Sequence, residues 1–124
     1  MRTKDQRFSE SCWKAVSAAK TAQQIDPEYV SRARSFPALI HHAGLCQALA
    51  FLESKGPDLY KQHLQQVAVE NEIIDEEETL IEKSQEAAMP AYLVLTRRVM
   101  DVAQWLSRSV NALVEPDENG GNNQ

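Results

Sequence analysis

The chain has 124 residues, 43% hydrophobic and 25% charged, which suffices for one packed core but not two and is too apolar for a disordered or fibrous protein. Its formal net charge of −5 argues against a uniformly basic nucleic-acid binder. No apolar run reaches the roughly 20 residues of a membrane span, and no signal segment follows the polar start Arg2 to Arg7, so a cytoplasmic protein without a membrane partner is expected.

Thr3 and Gln6 make a capping-box pattern, and Phe8, Cys12, Ala15, Ala19 and Ala22 then recur at helical spacing. One amphipathic helix is expected over residues 5–24. Asp26 and Pro27 supply an N-cap oxygen and a preset φ, so a second helix is expected to run from there towards His42. Pro37 falls inside it. Its ring removes one backbone donor and crowds the preceding turn, which predicts a kink near Ser35 and Phe36 or two helices meeting there.

Gly44 is a helix terminator, after which Leu45, Ala48, Leu49 and Leu52 form a third helical face ending near Lys55 and Gly56. Pro57 and Asp58 open a fourth helix carrying Leu59, Tyr60, Leu64, Val67 and Ala68. Residues 70–78 are acidic and read as a loop. Asp75 to Glu78 suit the positive end of a short helix over residues 79–87. Pro90 opens the longest helix, striped by Tyr92, Leu95, Val99, Val102, Leu106, Val110 and Leu113. The polar tail 116–124 has nothing to bury and is expected to be disordered. No segment alternates like a strand, so the fold class is all-α: a compact, single-domain bundle of five or six helices over residues 1–115.

The motifs that tie a short segment to a reaction (a Walker loop, HExxH, GxSxG or paired CxxC) are missing from the sequence. His42 and Cys46 are four apart, but Gly44 lies between them, and a closed zinc site would have to recruit distant His63 and Cys12. The run Asp75 to Glu78 has no neighbouring phosphate cradle and reads as a solvated helix start. Neither catalytic residues, metal nor cofactor is expected, and Cys12 and Cys46 read as ordinary core thiols in a reducing compartment.

The charge is unevenly spread. Residues 1–66 carry nine Lys and Arg against six Asp and Glu, whereas residues 67–124 carry four against twelve. On the last helix Arg97, Asp101, Gln104 and Arg108 share the polar face opposite the apolar stripe, with Arg98 beside them. The plainer reading is a solvated face with an Arg97–Asp101 ion pair contributing roughly 0.3–0.5 kcal/mol. On the second helix Arg34 and His41 are seven apart and share a face, with Arg32 nearby. The other reading joins these helices into a basic stripe following RNA phosphates: Arg34, Arg97, Arg98 and Arg108 foremost, with Arg32, His41 and Lys20 as weaker candidates.

The segment Ser31 to Leu52, with its run Phe36-Pro37-Ala38-Leu39-Ile40, then Gly44-Leu45 and Gln47-Ala48-Leu49-Ala50-Phe51, resembles the signature of the small subunit of the type III-B CRISPR RNA-targeting complex (the Cmr, or RAMP, module). Tyr92, Thr96, Trp105, Leu106 and Arg108 resemble that family's final helix, and the likeness touches most of residues 5–114. Ser107 departs from it, standing where the family often has a lysine. The resemblance implies a non-catalytic subunit stacked in several copies as an inner filament, contacting guide RNA, target RNA, and the backbone and large subunits. A helical adaptor without RNA contact would show the same core pattern.

Overall fold

The computed structural model describes residues 2–114, and among these it holds six helices and no strand. They are α1 (Lys4–Thr21), α2 (Pro27–Ala43), α3 (Leu45–Lys55), α4 (Asp58–Glu70), α5 (Leu80–Glu86) and α6 (Met89–Leu113). The tail expected to be disordered lies outside the described residues.

The capping box of α1 forms as its sequence predicts: the Gln6 amide donates to Thr3 Oγ1 at 3.1 Å and the Thr3 amide to Gln6 Oε1 at 2.7 Å. The helix stops at Thr21, earlier than its composition suggests, because Gln23 turns to a φ of 59° and the Gln24 amide folds back onto the Ala19 carbonyl. Ala22 is exposed for the same reason, while Val16 joins Phe8, Cys12, Ala15 and Ala19 in the core.

Asp26 caps α2 through the Tyr29 amide at 2.9 Å. The helix then runs through Pro37 to Ala43 as a single element. Two helices meeting at Ser35 and Phe36, one of the expected alternatives, are not what forms. Tyr29, Ala33, Phe36 and Ile40 are buried along one continuous face, and packing of that stripe offsets the one hydrogen bond that the proline ring removes.

Gly44 adopts a φ of 88°, a left-handed conformation that disfavours any side chain, and ends α2 while starting α3. With no side chain to cap α3, the job passes to α6: the Cys46 amide donates to the Tyr92 hydroxyl at 3.0 Å. The two segments carrying the family resemblance therefore meet in space. Midway along α2, towards its start from Gly44, Arg34 Nε donates to Asn111 Oδ1 at 2.8 Å near the end of α6, so α2 and α6 run antiparallel.

The acidic loop is ordered by Gln65, whose amide nitrogen donates to the Glu78 carbonyl at 2.6 Å while its oxygen accepts from the Leu80 amide at 3.1 Å. Thr79 caps α5 through Glu82. Glu78 accepts from the Asp75 amide and pairs with Lys83 at 3.1 Å, and these contacts hold its carboxyl below the usual range. The acidic stretch is thus tied to α4 and α5, and α5 packs on α3.

α6 packs most extensively against α1 and next against α2, and its buried side is Leu95, Val99, Val102, Ala103, Leu106 and Val110. The helix lies between α1 and α2 with its back to solvent.

Candidate nucleic-acid interface

At 100° per residue, Arg97, Gln104 and Arg108 lie within a narrow stripe pointing away from the buried side of α6, and all three are exposed. Asp101 is half-buried on the same face, but it forms no ion pair with Arg97. Among the described residues the ion pairs are Arg2–Glu10, Lys61–Glu53 and Lys83–Glu78, so none of Arg34, Arg97, Arg98 and Arg108 is neutralised by a carboxylate contact there.

Arg34 belongs to the same surface, because its bond to Asn111 sets it one turn of α6 from Arg108. His41 is exposed on Arg34's face of α2 and stacks edge-on against His42, ring centroids 5.3 Å apart. Arg98 is half-buried and seven residues before Trp105, which places it on the side of α6 that faces α1. Lys20 is exposed in the last turn of α1, seven residues beyond Trp13 and on its face.

Arg32 is separated from this group. It is two residues from Arg34, hence about 200° around α2, and its guanidinium lies 4.7 Å from the Phe51 ring centroid of α3. One of its nitrogens reaches Ser35 Oγ at 3.3 Å, and its Nε is buried without a partner among the described residues.

Two aromatic residues join the surface that charge counting overlooked. The Arg108 guanidinium stacks 4.7 Å from the Trp105 ring centroid, a cation–π contact that orients the charge. Trp105 and Trp13 line a groove of about 560 Å³ between α1 and α6, and Trp13 is 46% exposed. The seven-residue spacing of Trp13 and Lys20 is the signal that could have found the first; the second needed the packing of α1 on α6.

The titratable groups of the interior lie elsewhere. Burial pushes the Cys12 thiol up to about 12, and its sulfur lies 3.7 Å from the Val102 carbonyl. Cys46 is a free, half-buried thiol. No three His, Cys, Asp or Glu side chains converge as metal ligands among the described residues, nor is any described helix long and apolar enough to cross a membrane.

Residues 4–113 match the family described as CRISPR-associated protein (Cas_Cmr5). The chain is 36% identical over 118 residues to the CRISPR system Cmr subunit Cmr5 of Thermus thermophilus, covering 93% of this chain and 99% of that protein. Its fold is similar to the crystal structure of a CRISPR-associated Cmr5 family protein from the same organism, with a TM-score of 0.76, 34% identity, and coverage of 93% of this chain and 100% of the other. With matching sequence, length and fold, this chain belongs to the Cmr5 family of CRISPR-associated proteins.

Proposed function

We propose that this chain is the non-catalytic small subunit of a type III-B CRISPR ribonucleoprotein complex, and that it helps to hold guide and target RNA through the outer face of α6 and the flanking edges of α2 and α1. The observation carrying this reading is that Arg34, Arg97 and Arg108 share one exposed face without a carboxylate partner among the described residues. Such a face suits phosphates in a sequence-independent way. Sequence selection would rest with guide pairing.

Assembly is supported by a second feature of α6. Met89, Leu93 and Val94 are 65%, 55% and 49% exposed, an apolar patch at the helix start that a backbone or large subunit, or a neighbouring copy in an inner filament, would cover. The complex would act in the cytoplasm.

The test is target-RNA retention by the reconstituted complex across several salt concentrations, comparing wild type with Arg34→Ala, Arg97→Ala, Arg98→Ala and Arg108→Ala combined. Every phosphate that the protein ceases to neutralise takes roughly 0.7–0.9 from the salt slope, so the slope of the variant is expected to fall by up to about three or four. Unchanged slope in a fully assembled complex would replace this reading by that of a helical adaptor without RNA contact.

A further inference from the structure

Trp13 and Trp105 are the only tryptophans of the chain, and both open onto the groove of about 560 Å³ between α1 and α6. Its α1 wall is Asp5, Gln6, Ser9, Glu10, Trp13 and Lys14, and its α6 wall is Trp105 alone. Trp13 is 46% exposed. One exposed ring standing by itself would need no explanation. This one stands across a groove from a second tryptophan, at the border of a cationic face.

Trp105 lies about 60° round α6 from Arg108 and about 80° from Arg97, so the groove follows the α1 edge of the arginine face. The Arg108 guanidinium, 4.7 Å from the Trp105 ring centroid, brings the charge of that face to the groove itself. Lys14 adds a cation from the α1 wall and makes no ion pair among the described residues. Of the two carboxylates in the lining, Glu10 is paired with Arg2, and Asp5 stands against Lys14 and Arg108. The surroundings of the two rings are therefore cationic on balance.

We infer that an unpaired base of the bound RNA turns out of its strand and stacks on Trp13 in this groove, with Trp105 as the opposite wall and Arg108 holding the adjoining phosphate. A base is flat and uncharged, and every base has a face to offer an indole, so the contact adds affinity without selecting sequence. The remaining lining residues suit the edge of a base. Gln6 spends its side-chain oxygen on the Thr3 amide, which leaves its N–H groups to donate, and Asp5 accepts from an exocyclic amine. A docking helix of another subunit would need a row of contacts on both walls, and α6 supplies one side chain.

This inference rests on the RNA-holding reading of the arginine face, and the two fail differently. Stacking releases no counterions. Trp13→Ala is therefore expected to weaken target-RNA retention by the reconstituted complex roughly 5- to 150-fold for each base stacked, with the salt slope unchanged, whereas the four-arginine variant lowers the slope. Trp13→Phe keeps a ring and is expected to recover most of the loss. A direct reading separates stacking from any effect of Trp13→Ala on packing: guide or target RNA carrying 5-iodouridine is irradiated in the wild-type complex, and a crosslink is expected at Trp13 or Trp105. Wild-type retention by Trp13→Ala overturns the inference. So does loss of retention without a crosslink at either tryptophan, the result expected if another protein fills the groove. An unchanged slope in the arginine variant with the crosslink still present overturns the arginine reading alone.

Discussion

Acidification from about pH 7 to about pH 5 is expected to destabilise the fold through His63, by at most about 1.4 kcal/mol for each pH unit over which the unfolded chain holds the extra proton. His63 is 7% exposed and its pKa is lowered from the ordinary 6.5 by burial. In the unfolded chain it takes up a proton near 6.5, while in the fold it resists until the pH is lower still. Between those values the unfolded state binds more protons, so stability is full above 6.5 and falls as the pH drops through the window. Below the folded value both states are protonated and the slope flattens. Glu10 and Glu78, whose pKa values are lowered by Arg2 and by the Asp75 amide with Lys83 respectively, lose their contributions only below the ordinary 4.5, a separate window. Urea midpoints measured at several pH values for wild type and His63→Gln separate the cause, because glutamine keeps a partner for Tyr29 and cannot titrate. Equal pH slopes for the two proteins between about pH 6.5 and 5 would refute the assignment.

Leu106 and Leu49 are 0% and 3% exposed, so Leu106→Ala and Leu49→Ala are each expected to cost roughly 2–5 kcal/mol in denaturant unfolding; a loss under about 0.5 kcal/mol would mean the site collapses without a cavity. Tyr92→Phe removes the acceptor for the Cys46 amide at the start of α3, and a cost of about 1 kcal/mol, read as an earlier unfolding midpoint, is expected.

The helices were legible because each carries its own period. The α6 stripe from Tyr92 to Leu113 predicts a buried side at Leu95, Val99, Val102, Leu106 and Val110, and those residues are buried. Where local pattern misled, a contact outside the segment decided the outcome. Pro37 should interrupt a helix standing alone, yet Ala33, Phe36 and Ile40 are held against the rest of the bundle on both sides of it. Ala22 fits the apolar period of α1 but stands past its last residue, exposed beside the turn at Gln23. The cap of α3 was not legible at all, because its acceptor is a tyrosine 46 residues along the chain.

The candidate site divides in the same way. That Arg97 and Arg108 share a face, and that Arg34 and His41 share another, follows from spacing alone. Arg32, placed in the same stripe from the sequence, instead lies about 200° round α2 from Arg34, against the Phe51 ring. What spacing could not give is the union of the two helices, which depends on Arg34 meeting Asn111 across 77 residues. The family signature explains how that union arises. Its Gly44 turn and its Tyr92 fix the end of α2 against the start of α6, and an antiparallel pair anchored there returns Arg34 to the far end of α6, beside Arg108. Residues whose own role is packing thereby set the geometry of the arginine face. A substitution at Gly44 is expected to disturb that face at Arg34 from about 15 Å along α2, and one at Tyr92 to disturb it at Arg108 from about 24 Å along α6, with the arginines themselves unchanged.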